Sequence, residues 1–144
     1  FPIMPLGGAN ARFQPVSVAD VVNAFVQSLR SPSMEGQAYD LCGPKVYTLR
    51  ELVEYTGEVI GFKRKIIALP ESLAYVQAGF LALLPNPMMS QDNLRSMEVD
   101  SVCGPGCKAP AGWNPEPLEA VAPLYLLDSG DAAQFAEYRS RAGR

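Results

Sequence analysis

Proline and glycine limit how long any element of this chain can be. Thirteen prolines and twelve glycines are spread over 144 residues. Proline carries no amide donor and glycine relaxes the backbone into turns, so both punctuate helices and strands. Ser31 with Pro32, Gly43 with Pro44, Gly61, Pro70, the Pro85–Pro87 stretch and Pro117 each mark an expected boundary. Only short strands and helices of a few turns fit between them. The length allows one domain with one core.

Phe13–Val18 alternates and is rich in β-formers, so it reads as a strand with Pro15 near its start. Asp20 follows as the expected N-cap of a helix from Val21 to about Arg30, whose Val22, Phe25, Val26 and Leu29 share one stripe. Gln37–Cys42 reads as a second short strand. Thr48 and Glu51 have the spacing of a capping box, which predicts a helix through Val59 and Ile60 closed by Gly61. Lys65–Leu69 is a third expected strand. Pro70 at N1 opens a long helix from Glu71 to Leu84 with Leu73, Val76, Gln77, Phe80 and Leu84 along a face read as core. A short helix from Ser90 carries Leu94 and Met97, and a last one, Pro117 to about Leu127, presents Leu118, Val121, Ala122 and Tyr125. Residues 101–117 read as loop. The pattern is α+β, with about three short strands and four to five helices. Residues 1–127 form the folded lobe and 128–144 a polar C-terminal tail.

Composition narrows the function. Net charge is −3, with no stripe of Lys and Arg to displace counterions from a phosphate backbone, so nucleic acid is excluded as a partner. Lys63, Arg64 and Lys65 read as a solvated turn. No apolar run approaches the roughly 18 residues a membrane span requires. The opening residues lack the basic region of a signal peptide. Cys42, Cys103 and Cys107 are an odd number without framework spacing, as expected in a reducing compartment. Cys103 and Cys107 stand as C-x3-C. This reads either as a Gly-Pro loop that carries thiols or as part of a redox or metal site. Histidine is absent, which removes the commonest general base and metal ligand.

No glycine-rich phosphate loop occurs, neither G-x-G-x-x-G nor G-x-x-x-x-G-K-[ST]. No Tyr-x-x-x-Lys occurs either, since none of the six tyrosines has lysine four positions on. Nevertheless Phe13–Val21, Tyr39–Pro44 and Tyr47–Leu52 together resemble the carboxy-terminal half of extended short-chain dehydrogenase/reductases. The similarity is to the atypical branch holding the NAD(P)-binding accessory subunit of respiratory complex I and bacterial NAD-dependent epimerase/dehydratase-like relatives. Leu84–Pro87 and Pro117–Tyr125 are similar to that branch as well.

The resemblance implies a fragment of an α/β Rossmann-type protein. An N-terminal Rossmann domain upstream would carry NAD or NADP, and this lobe would bind a small-molecule substrate in the cleft between them. The start on Phe1 gives the same expectation of a carboxy-terminal part. No catalytic, cofactor-binding or metal-ligating residue is expected within the chain itself. Arg12 is similar in place to an arginine that clamps a substrate diphosphate in nucleotide-sugar epimerases; the alternative is a solvated loop charge. Gln14 and Arg95 are the other candidate substrate contacts, each set against a surface role. The leading expectation is thus the substrate-binding lobe of an NAD(P)-dependent epimerase/dehydratase- or dehydrogenase-like protein, inactive alone. The alternative is a non-catalytic, dinucleotide-holding structural or assembly module. Its partners would include a respiratory complex, with a location that is cytoplasmic or peripheral to the inner membrane. Bare strand edges at Phe13–Val18 and Lys65–Leu69, with apolar surface that includes the Leu73–Leu84 helix, give the further expectation of a homodimer.

Overall fold

The chain is seen in a computed structural model that describes residues 3–81 and 91–127. Strand β1 (Ile3–Leu6) leads through a tight loop to β2 (Arg12–Phe13), and helix α1 (Val18–Arg30) follows. After a 3-10 turn at Pro32–Met34 and an irregular stretch come β3 (Tyr47–Thr48) and α2 (Leu49–Val59). Strand β4 (Lys65–Ala68) precedes α3 (Glu71–Leu81), α4 (Gln91–Ser96) and α5 (Leu118–Leu127). The class is α+β, as expected.

Two small sheets carry the strands. β1 and β4 run parallel, in register from Ile3 opposite Lys65 to Leu6 opposite Ala68. β2 and β3 are antiparallel, Arg12 opposite Thr48 and Phe13 opposite Tyr47, and Phe13 also bridges Ser101 on its other side. One core cluster gathers Leu6, Ala9 and Ile66 under Leu49 and Val53; a second gathers Ala74, Ala78 and Leu94. The β1–β2 loop runs between them. A Cβ on Gly7 would lie 2.9 Å from Ala74 Cβ and 3.1 Å from Leu94 Cδ2, so loop backbone and helix touch directly. Gly8 turns the chain there at φ 66°.

Several local expectations stand. Thr48 Oγ1 accepts from the Glu51 amide at 3.2 Å, while Glu51 Oε2 accepts from the Thr48 amide at 2.7 Å. That reciprocal pair holds the Glu51 carboxyl below the usual carboxylate range. Gly61 follows the helix at φ 79°, the left-handed position glycine tolerates best.

Others are corrected. The N-cap of α1 is Ser17, whose hydroxyl accepts from the Ala19 amide at 3.2 Å. The helix therefore begins three residues before the expected Val21, and Asp20 lies in its first turn. There its Oδ2 accepts from the Glu116 amide at 2.9 Å and ties down the approach to α5. The strand expected over Phe13–Val18 keeps only Phe13, because Pro15 ends its pairing and Ser17 already caps a helix. Gln37–Cys42 forms no strand; it is fastened to the 101–117 loop by the Asp40 amide donating to Lys108 O at 2.9 Å. Ile3–Leu6, unassigned from sequence, is a strand because β4 lies beside it. Pro70 precedes α3 rather than opening it, its carbonyl accepting from the Ala74 amide at 3.0 Å.

Helix orientation is corrected too. Leu73, Val76 and Phe80 of α3, read as core, are exposed, and Ala74 and Ala78 face inward. The far end of that helix at Leu84, the Pro85–Pro87 stop and the 128–144 tail lie outside the described residues.

Replacing Thr48 with Ala removes the hydroxyl half of the capping box, the acceptor of the Glu51 amide, and keeps the backbone amide that donates to Glu51. We expect Thr48→Ala to lower stability by about 1 kcal/mol in chemical denaturation, with an unchanged far-ultraviolet spectrum. An unchanged midpoint would show that the cap contributes nothing.

Candidate functional site

Where the Gly7–Ala11 loop meets α3 and α4, the surface opens into a cavity of about 360 Å3. Gly8, Ala9, Ala11 and Ala74 line it together with Asn10, Tyr75, Glu98 and Asp100. The small residues follow from the close approach of loop and helix, since larger ones would force them apart. The Tyr75 hydroxyl donates to Glu98 Oε1 at 2.6 Å. Among the described residues, the lining includes two carboxylates and neither Lys nor Arg. Such a rim accepts hydrogen bonds and disfavours anions.

The start of α2 lies beside the same loop, and its amides are occupied. Leu49 N–H donates to Ala11 O at 2.9 Å and Arg50 N–H to Ala9 O at 3.1 Å, while the Glu51 amide is held by Thr48. The donors that would bind a phosphate at a helix N-terminus are used inside the fold.

The three residues expected at the site do not converge. Arg12 reaches the cavity only through Asp100: its guanidinium lies 3.6 Å from Asp100 Oδ2 and its amide donates to Asp100 Oδ1 at 3.1 Å. Gln14 is a brace between two loops. Its Nε2 donates to Gly43 O at 2.7 Å and its Oε1 accepts from the Cys103 amide at 2.9 Å. Arg95 sits on the exposed side of α4, 3.4 Å from Asp92 Oδ1.

Two groupings were missed by sequence reasoning. Cys42 and Cys103 are joined in a disulfide across 61 positions, leaving Cys107 free and exposed, which corrects the reading of three reduced thiols. The Gln14 brace explains the pairing, since it holds the neighbour of Cys42 and the backbone of Cys103 at once. The Trp113 indole N–H donates to Cys42 O at 2.9 Å and covers the same place. Spacing along the chain carries no sign of this, because the three partners are far apart in sequence.

The second grouping is Tyr47, Glu119 and Lys45. The buried Tyr47 hydroxyl donates to both Glu119 oxygens at 2.8 and 2.9 Å. Lys45 Nζ lies 3.5 Å from Glu119 and 4.7 Å from the centre of the Tyr47 ring. Burial, and then the bond to Glu119, pushes the Tyr47 hydroxyl up to about 12. Glu119 is held below its ordinary range by its own backbone amide, then by Tyr47 and Lys45. A tyrosine shifted this way keeps its proton at neutral pH, so the trio fastens α5 to β3 rather than serving as a base.

Comparison with known proteins finds relatives of the sequence. The chain is 30% identical over 118 residues to the mitochondrial NADH-ubiquinone oxidoreductase 40 kDa subunit of Neurospora crassa, covering 81% of this chain and 32% of the relative. It is 38% identical over 113 residues to the mitochondrial NADH dehydrogenase (ubiquinone) 1 alpha subcomplex subunit 9 of Arabidopsis thaliana, covering 71% and 28%. A rice protein (Oryza sativa subsp. japonica) named Cyclin-B1-2 shares 38% over 66 residues, 45% of this chain. The chain thus spans about a third or less of the curated relatives it matches. No family model matches. The similarity read from the motifs, to the complex I accessory-subunit branch of the extended short-chain dehydrogenase/reductases, is borne out by the first two relatives.

Two outcomes follow from the missed groupings. Cys42→Ser should lower stability by roughly 2–4 kcal/mol, the typical range for a disulfide. The single tryptophan, Trp113, provides the fluorescence signal for the denaturation curve. A midpoint equal to that of the parent would rule the bridge out as a stabilising element. For Tyr47, the unfolded side chain ionises near 10 and the folded one near 12. Between those values the unfolded state has lost a proton that the folded state keeps. The contribution is full below pH 10 and is lost as pH rises through 12, a change on the order of 2–3 kcal/mol. Tyr47→Phe should flatten that alkaline loss; an identical slope would remove Tyr47 from the account.

Proposed function

We propose that this chain acts as a non-catalytic structural or assembly module of an NADH dehydrogenase-type respiratory complex. The observation that carries the reading is the identity of 30% and 38% to two subunits named for such a complex, over most of this chain. The geometry supports it. Arg12 pairs with Asp100, Gln14 braces two loops and Arg95 pairs with Asp92 on the exposed side of α4, so the three do not converge on one place. Tyr47 and Glu119 join two elements.

Among the described residues no helix is long and apolar enough to cross a membrane. Attachment to a complex would therefore run through protein surfaces. In the intact protein, NAD or NADP would be held outside this stretch, because the amides at the start of α2 are already taken and the cavity rim is anionic.

Two experiments test the reading. Tagged chain expressed in a host with a respiratory NADH dehydrogenase should migrate with that complex on native gels. Failure to do so, under conditions where the chain is folded, removes the assembly role. Calorimetric titration with NADH and NADPH should show no saturable binding. A micromolar dissociation constant, about −8 kcal/mol, would instead favour a ligand-binding lobe.

A further inference from the structure

Helix α1 carries its large side chains on the wrong side for a monomer. Val18, Val22, Phe25, Val26 and Leu29 are 72%, 53%, 66%, 40% and 88% exposed. The face turned toward the body is made of Ser17, Val21, Ala24 and Ser28, with Ala24 buried. At about 100° per residue the five outward positions fall within one stripe roughly 100° wide. A stripe of that width is what a helix normally buries.

We propose that this stripe is the contact between two copies of the chain, α1 packed antiparallel on α1 about a two-fold axis near Asn23 and Ala24. The order of residues along the stripe is what a self-complementary contact needs. Reversing the helix about that point sets Val18 against Leu29 of the second copy and Val22 against Phe25, so four of the five stripe residues meet an apolar mate on the stripe. The stripe itself holds no charge; on its flank Ala19 and Asn23 are neutral, and Arg30, at the end of the helix, falls opposite Ser17 of the second copy. Self-pairing therefore juxtaposes no like charges on the contact.

The area is consistent with a weak dimer. The exposed parts of five large apolar side chains come to a few hundred Å2 per copy, and two copies approach the roughly 1,200 Å2 at which specific interfaces begin. Val18 also forms part of an apolar groove with Val121 and Tyr125 of α5, which extends the patch past the end of the helix.

The test is sedimentation velocity on the whole chain from about 1 to 300 µM. A monomer–dimer equilibrium is expected in that range. Phe25→Glu and Leu29→Glu should each weaken it by at least ~30-fold. Their circular dichroism should be unchanged, since both side chains are already in solvent. The register is tested in a Cys107→Ser background by mixing Val22→Cys and Phe25→Cys variants under mild oxidation. Cross-linking between the two variants should exceed that of either with itself. A monomer at the highest concentration, or a dimer indifferent to both glutamate substitutions, overturns the proposal. So does a cross-linking preference within one variant, and so does binding of phosphatidylcholine vesicles through Phe25 and Leu29 without dimerisation.

Discussion

The contact on which the structure depends is between the Gly7 backbone and the side chains of Ala74 and Leu94. Gly7 approaches Ala74 and Leu94 so closely that a single added carbon would meet both. The Gly7–Ala11 loop then supplies two carbonyls to the first amides of α2. One loop thus separates the two core clusters, fixes the start of a helix and forms the wall of the principal cavity. The small residues around it are a consequence. Where loop and helix touch, a large side chain costs more in displaced backbone than it gains in burial.

The same constraint explains which part of the fold was legible in the sequence. Local signals held: Thr48 and Glu51 cap α2, Gly61 ends it, and α4 and α5 lie where their periodicity put them. Nonlocal features were invisible. Ile3–Leu6 is a strand only because β4 lies parallel to it, and nothing in the run itself names that partner. In α3 the expected direction failed for a physical reason. A stripe of large apolar residues marks a face that some surface should cover, but it does not say that the surface belongs to the same domain. In α1 and α3 the chain's own contacts go through Ala24, Ala74 and Ala78, and the large residues point away.

Site residues were harder still to read. Arginine and glutamine are the side chains expected at a substrate, and both are equally suited to bridging backbone carbonyls and carboxylates. Gln14 uses its two ends on Gly43 and Cys103. Arg12 spends its charge on Asp100. Partners of both come from the segment that begins at Asp100, which returns across β2 and brings Asp100, Ser101 and Cys103 to it. The disulfide has the same origin, since Cys42 and Cys103 meet only because that segment returns.

The groups around the cavity argue further about what this stretch could hold. A diphosphate needs cations or unpaired amides facing it. Here the nearby arginine is matched by a carboxylate, the α2 amides donate to loop carbonyls, and Glu98 and Asp100 set the sign of the rim. Charge of that sign works against phosphate and leaves the surface neutral or acidic toward a protein. The exposed apolar faces of α1 and α3 are then the most distinctive chemistry the lobe offers its surroundings. A polypeptide surface laid on those faces would take hydrocarbon out of water, which a phosphorylated small molecule at the anionic rim would not do.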